Sequence, residues 1–211
     1  KFHPWEGGEG KVPAQYQLAR VEIVKKLLND NEFEKALQWI DECFVYPHNL
    51  GEGKLYGAQE NDFNYYKACA LYGLGRKEEA EALFVAASVG NSQPAAAMYY
   101  NDQKPDKIFY QGLALRKLGR EAEARSRFNN LIAYGEKHLF DVFKMDYFAV
   151  SLPDLQIWED DMNKKNRIHC NYLMGLGHLG LGNMNKAKSY FEEAAAMDNN
   201  HQGVQIHAAM L

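Results

Sequence analysis

Two short stretches of the chain carry the residue types of a phosphate-cradling loop: Gly8-Glu9-Gly10-Lys11 and Gly51-Glu52-Gly53-Lys54. Glycine N–H groups and a lysine at a helix entry could hold phosphate oxygens. The spacing argues against it. A nucleotide loop needs a further glycine five residues before the Gly-Lys pair, where Trp5 and His48 stand, and neither lysine is followed by Ser or Thr. The pair reads instead as a duplicated entry loop whose glycines make turns, each copy followed by Ala-Gln (Ala14-Gln15, Ala58-Gln59) and then a helix. The seven histidines form no HxxxH, HxH or His/Cys cluster, so no metal site is expected. Glu159-Asp160-Asp161 beside Trp158 suggests paired-carboxylate chemistry on a glycan. Neighbouring carboxylates on one helix diverge by about 100° per residue, however, and do not converge on one substrate. This run is expected to be a solvated helix terminus. No Ser-His-Asp or Cys-His arrangement follows from spacing. The expectation is an isolated chain that is not an enzyme, with no catalytic residue, no metal ligand and no cofactor.

Composition narrows the partners. The chain has 211 residues, 46% hydrophobic and 25% charged, with net charge −4 and 13% aromatics. That is enough apolar surface to offset chain entropy, and disorder is excluded. A pI near 6.0 without a basic stripe makes nucleic acid an unexpected partner. The longest uncharged run, from Phe84 to Asn101, is interrupted by Gly90, Asn91, Ser92, Gln93 and Pro94, so neither a membrane span nor a membrane partner is expected. Cys43, Cys69 and Cys170 are scattered among apolar neighbours and form no CxxC pair, which favours free thiols and a cytoplasmic setting.

The elements that position any site come from a repeat. YYKACALYGLGRKEEAEALFVAA (65–87), FYQGLALRKLGREAEARSRFNNL (109–131) and YLMGLGHLGLGNMNKAKSYFEEA (172–194) align without gaps. Small residues stand at the fourth place (Ala68, Gly112, Gly175) and two later (Ala70, Ala114, Gly177). Leu-Gly follows (Leu74-Gly75, Leu118-Gly119, Leu181-Gly182), then an alanine (Ala80, Ala124, Ala187) and a phenylalanine (Phe84, Phe128, Phe191). Apolar residues at helical spacing on both sides of Leu-Gly predict two amphipathic helices. The glycine ends the first helix in a left-handed residue, and the small residues admit the phenylalanine between the helices. A degenerate copy, LARVEIVKKLLNDNEFEKALQWIDEC, puts Asn31 at the cap, with Phe33, Ala36 and Ile40 following in register. Pro47 is expected to end its second helix. HQGVQIHAAML (201–211) reads as a terminal helix.

This pattern resembles the tetratricopeptide repeat, although the family's closing proline is absent. The resemblance implies an all-α solenoid, a right-handed superhelix of antiparallel helix pairs with inter-repeat insertions. The whole chain, 1–211, is expected to be one such domain. Its repeats span about 14–46, 61–90, 105–134 and 166–199, with inserted helices at about 136–162. Leu139, Phe140, Phe143, Tyr147 and Val150 form the apolar stripe of that insertion. Cap positions 31, 75, 119 and 182 are separated by 44, 44 and 63 residues, against about 34 in the ordinary repeat. The excess falls in insertions near 46–60, 89–105 and 135–165.

In the family, the first helices line a concave groove and contact ligands from fixed places. Carried over, those places are Asp62, Tyr65, Cys69 and Tyr72, then Phe109, Leu113, Arg116 and Lys117, then His169, Tyr172, Leu176 and Leu179. The set is aromatic with a basic spot at Arg116 and Lys117, and it lacks the Lys, Asn and Arg pattern of carboxylate-clamp members. The insertions HPWEGGEGK, YPHNLGEGKLYGAQEND, AMYYNDQKPDKIFYQGLALRKLGR and FAVSLPDL also resemble the C-terminal tetratricopeptide region of large bacterial proteins whose N-terminal domain is of unknown function. That likeness implies a non-catalytic interaction or scaffolding module. Its partner would be a sister domain of the same polypeptide or a peptide or protein ligand. The alternative is an accessory domain whose loops Trp5–Lys11, Pro47–Lys54 and Tyr99–Gln103 complete a carbohydrate-active site on the parent.

Overall fold

The computed structural model describes residues 9–96, 102–142 and 161–211. Among them all regular structure is helical: α1 (Lys11–Asn29), α2 (Phe33–Asp41), α3 (Asn61–Gly73), α4 (Lys77–Ser88), α5 (Pro105–Lys117), α6 (Glu121–His138), α7 (Met162–Gly180), α8 (Met184–Met197) and α9 (Gln202–Ala208). Consecutive helices pair as α1/α2, α3/α4, α5/α6 and α7/α8, and each pair stacks on the next. The fold is all-α, a tetratricopeptide-like helical solenoid.

Four identical corners make the pairs. Asn31, Gly75, Gly119 and Gly182 have φ of 58°, 76°, 73° and 79°, the left-handed residue expected at each Leu-Gly or its Asn substitute. At each corner two N–H groups turn back onto the helix they leave. The Gly119 amide reaches the Arg116 carbonyl at 3.0 Å, and the Arg120 amide reaches Leu115 at 2.9 Å. The same two bonds recur around Asn31, Gly75 and Gly182, so orphan carbonyls are satisfied identically four times.

Beyond each corner the second helix buries an alanine and a large side chain against the first. Ala36, Ala80, Ala124 and Ala187 are all 0% exposed, and Ile40, Phe84, Phe128 and Phe191 are 5% exposed or less. Tyr65, Phe109 and Tyr172, equivalent places on the three first helices, each meet the phenylalanine of their own pair at 5.8, 5.9 and 6.3 Å between centroids. Val24, at the place where the small residue is missing from α1, is fully buried.

Two differences from the sequence expectation concern helix ends. The second helix of the first pair stops at Asp41, and a 3-10 turn from Glu42 to Phe44 takes the chain toward Pro47. Gln17 fixes that turn by donating Nε2–H to the Cys43 carbonyl at 3.0 Å, which pulls the segment off the helical path. The expected inserted helices at 136–162 begin within α6, which runs on to His138. There Asp141 Oδ2 meets His138 Nδ1 at 2.6 Å, Asn166 donates to the His138 carbonyl at 2.7 Å, and Phe140 stands 83% exposed. The rest of that stripe, including Phe143, lies outside the described residues, as do the loops at Trp5 and Tyr99.

Candidate functional site

The first helices α1, α3, α5 and α7 line the inside of the solenoid, and α9 packs at its end against α8 and α7. Gln15 on α1 and Gln202 on α9 exchange a reciprocal amide pair, 2.9 Å in one direction and 3.0 Å in the other. That exposed pair links the first and last helices at one point, and the concave face forms a cavity of about 620 Å³ that is open to solvent. That volume suits a small ligand or a few side chains of a partner. Ala14, Leu18, Asp62, Lys107, His169, Tyr172, Ile206 and His207 are among its walls.

An ion pair forms part of its floor. Asp62, in the first turn of α3, sits 2.5 Å from Lys107 Nζ in the first turn of α5, and Asp106 lies 3.5 Å from the same nitrogen. Burial would lower the Lys107 pKa, but the two carboxylates more than offset it, so the ammonium is retained. Burial raises the Asp62 carboxyl against the pull of Lys107. The Phe63 ring packs 5.0 Å from Lys107 Nζ, a cation–π contact. Tyr66 and Tyr110, one repeat apart, join hydroxyls at 2.8 Å beneath the pair.

Three histidines line the same space. His169 Nε2–H donates to the Ala95 carbonyl at 2.8 Å, and burial lowers its pKa to about 4. His201 caps α9, its Nδ1 accepting the Val204 N–H at 3.1 Å, and burial lowers its pKa also. His207 is 3% exposed, ringed by Phe109, Tyr110 and Tyr172 at centroid distances of 5.6, 5.9 and 5.8 Å. Its Nδ1 lies 2.8 Å from the Gly203 carbonyl, which can only accept, and 3.1 Å from the Tyr172 hydroxyl.

The second insertion is held against this wall by side-chain amides. Asn61 donates to the carbonyls of Ala87 and Val89 at 2.9 and 2.8 Å, Gln111 to Asn91 at 3.1 Å, and Asn130 to Ser92 at 3.2 Å. The segment 89–96 is thereby anchored, and Ala96 at its end joins the cavity lining.

Of the twelve residues assigned to the groove by resemblance, Cys69, Leu113, Leu176 and Leu179 pack in or against the hydrophobic core, and the other eight divide into three groups. Asp62, His169 and Tyr172 line the cavity. Tyr65 and Phe109 pack inside their helix pairs, Phe109 at 1% exposure. Tyr72, 57% exposed, lies with Arg116 and Lys117 at the opposite ends of α3 and α5, away from the cavity. There the Arg116 guanidinium bonds Glu121 at 3.1 Å and the Gly180 carbonyl at 2.7 Å, bridging the third and fourth pairs. The sequence reading did not single out Lys107, Tyr110 or His207. Tyr110 had a signal, since Tyr66 stands 44 residues before it in the aligned repeat. His207 had none.

The other candidate chemistry among the described residues takes structural roles; Gly8, Trp158, Glu159 and Asp160 lie outside them. Gly10 and Gly51 of the duplicated loops are left-handed at φ 78° and 82°, and Glu52 Oε1 accepts the Gly10 N–H at 2.9 Å, tying one loop to the other. Asp161 caps α7, accepting from the Asn163 and Lys164 amides at 2.9 and 3.0 Å. His178 stacks on Tyr190 at 5.5 Å between ring centroids. Among the described residues no group of three His, Cys, Asp or Glu could hold a metal ion. No helix among them is long and apolar enough to cross a membrane. Comparison with known families finds a match to the family described as Tetratricopeptide repeat over residues 168–201, which covers most of α7 and all of α8.

Proposed function

We propose that this chain is a non-catalytic protein-interaction module that receives a short segment of a partner protein in the cavity between α1, α3, α5, α7 and α9. The tetratricopeptide match supports the class, because such repeats typically mediate protein–protein contacts. The observation that carries the site is the cavity of about 620 Å³ that these first helices line, walled by aromatic rings and charged side chains. Asp62, His169 and Tyr172 are its contact residues, whereas Tyr72, Arg116 and Lys117 serve a second, outer face or the packing of repeats. A sister domain of a larger bacterial polypeptide is the natural source of the segment, in keeping with the whole-chain resemblance, and a cytoplasmic setting agrees with its three free thiols.

A random-peptide library selected on the 211-residue chain tests this. Leu18 lines the cavity from α1 and is only half-buried, so Leu18→Arg should obstruct it without emptying a core. Selected peptides should lose at least tenfold in affinity for Leu18→Arg and keep it for Tyr72→Ser, with both variants melting like wild type. Loss confined to Tyr72→Ser or Lys117→Ser would move the site to the outer face. Selective binding of a glycan array, with no peptide selected, would favour the carbohydrate-accessory alternative.

A further inference from the structure

Two histidines hold α9 in place, and both do so as neutral rings. His201 precedes the helix, and its Nδ1 accepts the Val204 N–H at 3.1 Å, so that nitrogen presents a lone pair. A proton there would set one N–H against another and remove the cap. On His207, Nδ1 lies 2.8 Å from the Gly203 carbonyl and must carry hydrogen, which leaves Nε2 to take the next proton. That nitrogen is buried and has no hydrogen-bond partner. Charging the ring in its docked place would bury an N–H with nothing to accept it.

Neighbouring charges do not compensate. His207 faces Asp106 and Tyr110 on α5, Tyr172 on α7, and Glu22 and Lys25 on α1. His201 faces Tyr172 and His169 on α7 and Asp198 at the end of α8. Burial outweighs the pull of Asp198 on His201 and of Asp106 and Glu22 on His207, so each histidine titrates below its usual 6.5. A released α9 would carry ordinary histidines. Their contribution to docking is therefore complete above pH 6.5 and is lost as pH falls below it, by up to about tenfold per pH unit for each proton taken up.

Little else retains the helix. It is seven residues long, too short to persist in water on its own. Its buried side chains are Val204 and His207, with Ala208 packed beside them, and its link to α1 is the exposed amide pair of Gln15 and Gln202. We infer that α9 is a detachable wall of the cavity, docked while both its histidines are neutral and released when they take up protons. Gln202, Gly203, Ile206 and His207 line the cavity, so release opens that side. It also uncovers Phe109, Tyr110 and Tyr172, each 5% exposed or less while α9 is docked. Release belongs to the wall itself and does not depend on what the cavity receives.

Amide hydrogen exchange on the 211-residue chain tests this, with each rate corrected for the intrinsic effect of pH. The opening constant of α9, read at Gln205 to Ala208, should rise more than about tenfold from pH 6.5 to pH 5. At pH 5 it should exceed that of α8, read at Phe191 to Ala194, by at least about tenfold, because α9 leaves without the rest of the fold. His201→Asn keeps a capping acceptor that does not titrate, and His207→Phe keeps an aromatic ring. Each alone should halve the logarithmic slope, and together they should leave α9 protection flat over this range. An α9 constant unchanged between pH 6.5 and pH 5 would overturn the release. So would α9 and α8 opening with one shared constant, or a double variant that keeps the wild-type slope. If His207→Phe leaves α9 undocked at pH 7, His201→Asn alone decides: the slope halves, or proton-coupled release falls.

Discussion

Gly112→Ala should destabilise the protein although alanine is the better helix former. Gly112 sits in the middle of α5, where replacing glycine by alanine normally gains about 1 kcal/mol. Here an added Cβ would lie 2.3, 2.6 and 3.0 Å from three carbons of the Phe128 ring, well inside contact distance. The ring cannot retreat. Its other side is covered by Gly180 of α7, where a Cβ would stand 2.2 to 2.6 Å from the same ring, and Phe128 is 0% exposed. Overpacking of this kind costs about 1–3 kcal/mol, and a ring confined on both sides belongs at the upper end. Set against the propensity gain, the net loss should be about 2 kcal/mol, or roughly 4–8 °C in melting temperature for a chain of this length. Urea denaturation followed by circular dichroism measures it. Phe128→Leu in the same background should recover at least about 1 kcal/mol relative to the sum of the single changes, because it makes room for the new methyl. An alanine variant as stable as wild type or more so, or strict additivity in the cycle, would refute the clamp.

Three further outcomes follow from the same geometry. His169 titrates at about 4 when folded against about 6.5 when unfolded; the unfolded chain binds the extra proton. Its contribution is therefore complete above pH 6.5 and lost as pH falls to 4, by about 3 kcal/mol. His169→Gln keeps a donor for Ala95 and should flatten that acid limb of a urea-midpoint profile. Lys107→Met strands Asp62 beside Asp106 and should cost about 3–5 kcal/mol by chemical denaturation, with part recovered in the Asp62→Asn/Lys107→Met double variant. Gly119→Val forces a β-branched residue to φ 73° and should lose more than about 1 kcal/mol in the same assay, although nothing crowds its Cβ.

What could be read from sequence is what the chain decides locally. The left-handed corner at Asn31 was legible because one residue's backbone preference sets it. The fit of Phe128 over Gly112 was legible because both lie in one helix pair, sixteen residues apart as in its neighbours 68/84 and 175/191. The groove register was legible only in part, since inward-facing places on a first helix hold two kinds of residue. Phe109 faces inward, but its ring lies against Phe128 and is covered by His207, while Asp62 reaches the cavity. No spacing within a repeat separates them, because what covers Phe109 arrives from α9, ninety-eight residues along the chain. The same holds for the contact between the two ends. Gln15 and Gln202 are 187 residues apart, and each alone reads as an ordinary solvated glutamine. Their pairing depends on how four stacked helix pairs curve, which sums small rotations that no single repeat encodes. Stacking is also what gives the polar groups their chemistry. On separate helices Asp62, Lys107 and His207 would be hydrated and ordinary, whereas the stacked pairs bury Asp62 against Lys107 and His207 among Phe109, Tyr110 and Tyr172.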